Sequence, residues 1–130
     1  MAKKTLSKLK KELDKWFSLY IRHYYENDGI VICFTCGIRK TVKTIQNGHF
    51  VPRNILITRF DENNCRPQCV GCNKFGNGKI LDFEENLIKD IGKVEVEKIK
   101  AKRHSLFKVD RLWYEDKIAH YKNEVQMLQM

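Results

Sequence analysis

The sequence predicts a small α+β domain, and three observations support that class. Amphipathic helical patterns cover residues 6–24 and the segment that follows Asp110. Short runs rich in β-branched residues, typical of strands, occur between them at residues 30–34, 41–45 and 55–60. Two Cys-x-x-Cys pairs lie in the same middle part of the chain. With 130 residues, the chain has the length of one domain with helical extensions.

The first predicted element is a helix over residues 6–24. Its apolar residues recur at steps of three and four and share one face, while its lysines lie on the other face. These apolar residues are Leu6, Leu9, Leu13, Trp16, Phe17, Tyr20, Ile21 and Tyr24. The stretch NDG at 27–29 ends the helix, because Asn and Gly tolerate the left-handed conformation common at helix ends. Residues 1–28 are therefore predicted to form a basic amphipathic helix.

The middle region, residues 29–80, holds the three predicted strands and both cysteine pairs. The sequence DENN at 61–64 has the composition of a turn after the last strand. The sequence FGNGK at 75–79, which follows the second cysteine pair, predicts a flexible loop. The region is therefore interpreted as a small core between two helical regions.

Residues 81–130 are predicted to be helical. Asp82 caps a first helix that Gly92 ends, and a second short helix covers residues 93–103. Asp110 then caps a last helix, whose aromatic and aliphatic residues we interpret as packing residues.

Four cysteines have the spacing of two zinc knuckles. Cys33 and Cys36 are separated by two residues, as are Cys69 and Cys72, and two such knuckles can present four thiolates to one tetrahedral zinc ion. Four thiolates leave no open coordination position, so we expect this Zn²⁺ to be structural. Cys65 does not fit the knuckle spacing, and we interpret it as a buried thiol.

The composition also limits the cellular location. Five cysteines are an odd number, which argues against a disulfide framework. No apolar run approaches the roughly 20 residues that a membrane span needs. The basic start of the chain continues into an amphipathic pattern, unlike a signal peptide. We therefore expect a soluble, intracellular protein without a membrane partner.

The positive charge is unevenly distributed along the chain. The net charge is +9, and residues 1–26 carry seven Lys or Arg against three Asp or Glu. Residues 37–80 carry eight against two, whereas the residues from 81 onward carry ten of each. A generally basic surface would spread this excess evenly, so its concentration indicates a polyanionic partner.

One histidine and two asparagines follow a defined spacing near the second cysteine pair. The pattern is His49-x14-Asn64-x8-Asn73, and Asn73 directly follows Cys72. It resembles the HNH pattern of ββα-metal (His-Me finger) nucleases, in which a hairpin packs on a helix and knuckle cysteines can clamp the open end. The stretches GHFVPR, FDENNCRPQCVGCNKFGNGK and LIKDIGKVEVEKIK are more similar still to the bacteriophage lambda NinG (Rap) recombination-endonuclease family. This resemblance covers residues 30–103.

The resemblance completes the predicted fold class: α+β, with a zinc-stapled ββα-metal (HNH-like) core and flanking N-terminal and C-terminal α-helices. It implies a metal-dependent phosphodiesterase in which His49 is the general base and Asn73 binds a catalytic Mg²⁺ or Mn²⁺ through its amide oxygen. Asn64 is expected to brace the loop that carries the histidine. Many HNH enzymes have an acidic metal ligand immediately before the histidine, and here Gly48 takes that position. We therefore expect weak metal affinity in the absence of DNA.

Several basic residues are predicted to contact DNA. Arg53 and Lys74 are candidates to hold phosphates close to the scissile bond. The full predicted set is Arg53, Arg59, Arg66, Lys74, Lys79, Lys8 and Lys11. By resemblance, the substrate is branched DNA, such as Holliday junctions and D-loops, in phage DNA recombination in the cytoplasm of a bacterial host cell.

Two other functions use much of the same sequence. A non-catalytic zinc-ribbon DNA-binding accessory protein has the same cysteines and charge but does not require His49. A sequence-specific HNH nuclease of the homing or restriction type shares the catalytic residues but ignores branching. Symmetric cleavage of a four-way junction needs two active sites, so a homodimer is a further hypothesis, as is recruitment by phage recombination proteins.

Overall fold

The computed structural model describes residues 3–130 and shows a mixed α+β fold, as predicted. In chain order, its elements are α1 (Leu6–Tyr24), β1 (Val31–Ile32), β2 (Arg39–Lys40), β3 (Gln46–His49), α2 (Leu56–Arg59), a 3₁₀ turn (Glu62–Asn64), β4 (Cys65–Gln68), a π-helical turn (Gly71–Phe75), α3 (Ile80–Ile91), α4 (Lys93–Lys102) and α5 (Arg111–Leu128).

The strands form two small antiparallel pairs, β1 with β2 and β3 with β4. In the second pair, His49 is opposite Cys65, and Gly48 is opposite Arg66. The π-helical turn follows β4 after a short connection and carries Asn73. An antiparallel strand pair and a helical turn therefore bring together the two parts of the chain that hold His49 and Asn73.

The terminal helices α1 and α5 pack against each other and run in the same direction. Near their middles, the ring centroids of Phe17 and Tyr121 are 5.0 Å apart, and at their carboxyl ends His23 approaches Gln129. The two helices share one buried cluster with Phe60. Burying these apolar faces provides most of the stability of such helices.

A second buried cluster connects the loop after β3 to the helices α3 and α4. Phe50 and Val51 pack there with Phe83, Leu87 and Val96. This packing holds the segment that follows His49 against the helical region. A third cluster consists of Cys33, Cys69 and Cys72.

Two strand predictions are wrong. Residues 55–60 contain the short helix α2 rather than a strand, and residues 41–45 form a turn. Leu56 in α2 and Phe60 directly after it pack into the cluster shared by α1 and α5 at a helical spacing of four residues, so tertiary packing overrides the β propensity of this run. In the turn, the side-chain hydroxyl of Thr44 hydrogen-bonds to Thr41, a local interaction that competes with strand pairing.

The helix predictions agree more closely with the structure. Helix α1 covers residues 6–24 as predicted, and the Asp110 carboxylate accepts a hydrogen bond from the Trp113 amide and caps α5. The predicted cap at Asp82 is wrong, because α3 begins at Ile80 after Lys79 in the left-handed region. No helix within residues 3–130 is long and apolar enough to cross a membrane.

Candidate functional site

The four knuckle cysteines converge on one point. The sulfur atoms of Cys33, Cys36, Cys69 and Cys72 all lie within 4.8 Å of one another. The Sγ atoms of Cys36 and Cys69 are 3.7 Å apart. Two ligands of a tetrahedral zinc ion, each about 2.3 Å from the metal, lie about 3.8 Å apart, whereas a disulfide needs about 2.05 Å. The cluster could therefore hold a structural metal such as zinc, as predicted.

Local hydrogen bonds favour the thiolate form of Cys33, whereas burial and hydrogen bonds with the other three thiols raise the pKa of Cys36. Burial alone raises the pKa of Cys33, but hydrogen bonds from the backbone of Cys69 and from the Thr35 hydroxyl lower it to about 6. Cys65 lies outside the cluster and is fully buried, as predicted. Burial raises the pKa of its thiol, which donates to the Arg59 carbonyl.

His49 is held in one orientation by the backbone. Its Nε2 donates to the Arg59 carbonyl oxygen at 3.0 Å, because a carbonyl can only accept. The second ring nitrogen, Nδ1, therefore carries the lone pair. Burial, together with the nearby positive charges of Arg53 and Arg59, lowers the pKa of His49 to about 4. At neutral pH the imidazole is uncharged and can accept a proton at Nδ1.

Asn64 hydrogen-bonds to the segment that follows His49. Its side chain is fully buried, and its Oδ1 accepts from the Val51 amide at 2.7 Å. Its Nδ2 donates to the carbonyl oxygens of Val51 and Thr58. These three hydrogen bonds tie together the segment between His49 and β4.

Asn73 faces the same space as His49. Its Nδ2 donates to Oε1 of Gln46 at 2.9 Å, which leaves its Oδ1 for another partner. His49 and Asn73 both line a cavity of about 400 Å³ and an adjoining one of about 230 Å³. We refer to these two cavities together as the His49 cleft. Asn47 and Arg53 also line both of them.

Helix α1 supplies one wall of the His49 cleft, which the sequence analysis missed. Asp14, Ser18 and Arg22 line the cavity and are spaced four residues apart, so they lie on one side of the helix. The four-residue spacing of these polar residues could have indicated a polar side of the helix. Nothing in the sequence, however, indicates that this side faces His49. Gln46 was missed as well, because its role depends on the strand pairing that places it beside Asn73.

Asp14 connects α1 to the residues that hold His49. Its carboxylate accepts hydrogen bonds from Nε and Nη2 of Arg59 and from Nη2 of Arg53. Arg59 also donates from Nη1 to the Arg53 carbonyl at 3.0 Å. Because the Arg59 carbonyl fixes His49, this one carboxylate influences both the histidine and the neighbouring arginine.

Gly48 allows β3 and β4 to approach closely. A Cβ atom at this position would lie 2.0 Å from Oε1 of Gln68. Gln68 is buried, and its Nε2 donates to the Thr35 hydroxyl and to the Gly78 carbonyl. An acidic side chain at position 48 would displace this glutamine, which connects the first knuckle to the loop after Asn73.

The oxygen atoms near Asn73 suit a hard cation. Asn73 uses its Nδ2 to hydrogen-bond to Gln46, so its amide oxygen remains available to a ligand. Within the described residues, no donor reaches the buried Oδ1 of Asn47. Mg²⁺ and Mn²⁺ accept such neutral oxygen ligands and keep several waters. The residues present therefore fit a weakly held divalent cation.

The predicted DNA-contacting residues fall into two groups. Those exposed at the surface are Lys8, Lys11, Arg53, Lys74 and Lys79. The other two are engaged within the protein. Arg59 is half-buried against Asp14.

The structure contradicts the prediction that Arg66 contacts DNA. It is only 3% exposed, and its Nε and Nη2 donate to Asp90. Its Nη1 donates to the carbonyl oxygens of Glu62 and Cys65. These bonds use its guanidinium to join β4 to α3, so Arg66 is a structural residue.

Comparison with known proteins connects the whole chain to one phage family. The family model described as bacteriophage lambda NinG protein matches residues 1–130. Over 81 residues, the chain is 31% identical to protein ninG of Salmonella phage P22. This aligned region covers 61% of this chain and 40% of that relative. It is 29% identical over 76 residues to protein ninG of Escherichia phage 933W, covering 58% of this chain and 38% of the relative. The chain thus spans about two fifths of the length of these relatives. No solved structure matches.

Proposed function

Since the chain belongs to the bacteriophage NinG family, we propose that it is a metal-dependent DNA endonuclease that cleaves branched recombination intermediates, such as Holliday junctions and D-loops. One observation carries this proposal: His49 and Asn73 line the same cleft, with the imidazole uncharged and the amide oxygen of the asparagine available. Neither feature is needed by a protein that only binds DNA. The spacing of His49, Asn64 and Asn73 resembles that of the HNH nucleases, and on this proposal the β3–β4 pair and the π-helical turn serve as the ββα-metal core.

His49 acts as the general base. The Arg59 carbonyl holds the Nε2 proton, so Nδ1 accepts a proton from the water that attacks the phosphorus atom. Since burial keeps the ring neutral, the base is ready at physiological pH without a prior proton loss. Asn64 keeps the loop between His49 and β4 in place through its contacts to Val51 and Thr58.

Asn73 would hold Mg²⁺ or Mn²⁺ through Oδ1, while Gln46 orients its amide. A bound cation would neutralise the negative charge that develops on the leaving oxygen. Gly48 contributes no ligand, so water and the substrate phosphate would supply the remaining oxygen ligands. Asn73 follows a zinc ligand directly in sequence, and the closed cysteine cluster fixes its position without taking part in the chemistry.

Arg53 is an exposed cation in the same cleft as the base. It lines both cavities of the His49 cleft, where its guanidinium can contact a phosphate in bidentate fashion. Its hydrogen bond to Asp14 keeps it at the wall of the cleft. Lys74 and Lys79 extend the positive surface on the side of the π-helical turn.

A cleavage assay tests the proposal. Purified protein with Mg²⁺ should nick a synthetic four-way junction, and His49→Ala should lower the cleavage rate by about 10²-fold or more, as loss of a general base does, while junction affinity is retained. Asn73→Ala should reduce the cleavage rate far more than the affinity. Cleavage is followed on denaturing gels and binding by fluorescence anisotropy without metal.

A matched control is His104→Ala, which removes an exposed histidine in the connection between α4 and α5. It should cleave at the wild-type rate. Wild-type protein that binds junctions but cleaves nothing with any divalent metal would instead favour the zinc-ribbon accessory protein. Equal cleavage of the junction and of a linear duplex with the same sequence would favour a sequence-specific HNH nuclease.

A further inference from the structure

The chain from the second knuckle to the first turn of helix α3 exposes an unusual amount of apolar surface. Phe75 is 76% exposed and Leu81 is 85% exposed, with Val70 and Ile80 partly exposed beside them. A phenylalanine ring buries a large apolar area when it is covered, so leaving it in water is unfavourable. The exposure of Phe75 therefore suggests a surface that another molecule covers.

The backbone holds Phe75 on a rigid platform. The Gly76 amide donates to the Gly71 carbonyl at 2.7 Å and closes the π-helical turn, and the Gly78 amide donates to the Cys72 carbonyl. The Gly78 carbonyl in turn accepts from Nε2 of Gln68 at 2.8 Å. Because these contacts tie the segment to the cysteine cluster and to β4, the aromatic ring is presented on a preorganised element.

One lysine lies beside the exposed ring, and a second follows it in sequence. The Lys74 ammonium lies 5.9 Å from the centroid of the Phe75 ring, and Lys79 is exposed a few residues further on. Aromatic rings between lysines suit nucleic acid, whose bases stack on the ring while its phosphates meet the cations. An apolar protein groove or a lipid chain would not use the lysines in this way.

Phe75 belongs to the same helical turn as Asn73, and its ring projects from a different side of the turn because the two residues are two positions apart. Building on the proposed function, we propose that Phe75 stacks on a base that is unpaired or unstacked at the branch point of the DNA, while the adjoining phosphate backbone runs to the His49 cleft. Bases inside a linear duplex are covered on both faces by their neighbours, whereas a branch point offers a free face. This contact explains how a small nuclease selects branched DNA without reading sequence.

Binding measured without divalent metal tests this contact separately from cleavage. A four-way junction carries 2-aminopurine at the branch point, and a linear duplex carries it at an internal position. Phe75→Ala should weaken junction affinity by about tenfold or more and abolish the change in 2-aminopurine fluorescence, with duplex affinity unchanged. Phe75→Trp should retain both properties, and Phe75→Leu should lose them, because it keeps apolar volume without an aromatic face.

The control is Leu106→Ala, which removes a fully exposed apolar side chain in the connection before α5 and should bind like wild type. Three results overturn the proposal: unchanged junction binding by Phe75→Ala, equal loss on junction and duplex, or full retention by Phe75→Leu. The first of these would assign the apolar surface to a protein partner. A protein that contacts the branch through Phe75 but never cleaves would refute the nuclease and leave the base contact standing.

Discussion

At the scale of single residues, the environment of His49 decides which form of the imidazole is present. The ring is buried beside two arginines, and both conditions favour its uncharged form. Its hydrogen bond to the Arg59 carbonyl then selects the tautomer. Burial and one backbone acceptor are thus enough to make an ordinary histidine suitable as a base at neutral pH.

The burial of His49 predicts a specific dependence of stability on pH. Its pKa falls from 6.5 to about 4 on folding, so between these values the unfolded chain binds a proton that the folded chain does not. The free energy of unfolding should therefore decrease as the pH is lowered from about 6.5 to about 4 and be unaffected by this residue above that window. The contribution lost is about 3 kcal/mol.

Comparison with His49→Gln isolates this effect. Urea unfolding at pH 7 and at pH 4 should show that wild type loses about 3 kcal/mol more than the variant over this interval. Protonation of the cysteine ligands weakens metal binding in both proteins and cancels in the difference. If the free energy of unfolding changed equally with pH in wild type and His49→Gln, the imidazole would have its ordinary pKa in the folded protein.

The sequence identified the residues with a distinctive spacing and missed those that act through tertiary contacts. Asn64 and Asn73 were found because their distance from His49 along the chain matches a known pattern. Asp14 comes from a helix 35 residues earlier, and its contact with Arg59 depends on how α1 packs. The Arg66 prediction was wrong for the same reason, because charge in a sequence does not reveal burial against Asp90.

At the scale of elements, long helices were predictable and short strands were not. Helix α1 shows an apolar face over 19 residues, which gives a strong periodic signal. Strand β3 reads QNGH and strand β4 reads CRPQ, so neither shows alternation of apolar and polar residues. Their pairing depends on Gln68 filling the space above Gly48, a feature of the folded protein alone.

The cysteine cluster predicts different effects for two cysteine substitutions. Cys69→Ser should lower bound zinc and remove a large part of the stability that a structural zinc site contributes, on the order of 10 kcal/mol. Cys65→Ser should leave the zinc content unchanged, because Cys65 lies outside the cluster and a serine hydroxyl can donate to the same Arg59 carbonyl. Metal analysis and thermal unfolding of both variants provide the measurement.

Cys65→Ser is also the matched control for Cys69→Ser, since both make the same atomic change at a buried sulfur. A loss of zinc in both variants would place Cys65 among the ligands. Wild-type zinc content and stability in Cys69→Ser would show that Cys69 is not a zinc ligand.

At the scale of the whole molecule, Glu62 joins the three regions recognised in the sequence. Its carboxylate accepts hydrogen bonds from the hydroxyls of Tyr20 in α1 and Tyr121 in α5. Burial raises the pKa of both tyrosines, and the neighbouring carboxylate raises it further, so they remain donors at neutral pH. The terminal helices are thereby attached to the segment between α2 and β4, and α1 is oriented with Asp14 at the His49 cleft.

This orientation of α1 predicts which lysines of the first helix contact DNA. Lys11 precedes Asp14 by three residues and Ser18 by seven, and Lys8 precedes Lys11 by three, so helical geometry places both lysines on the side of the cleft. Replacing both with alanine should weaken junction binding. The slope of log affinity against log salt concentration should become shallower by about 1.8, since each lost phosphate contact removes about 0.9.

Lys93→Ala with Lys108→Ala is the matched control, because it removes the same charge from exposed positions in the electrically balanced C-terminal region. It should leave the salt slope at the wild-type value. Titrations at several salt concentrations, without divalent metal, measure both pairs on the same junction. If both double variants lower affinity equally, long-range attraction by net charge is responsible and α1 does not lie along the DNA. If neither changes the slope, the wall of the cleft that α1 forms faces away from the phosphate backbone.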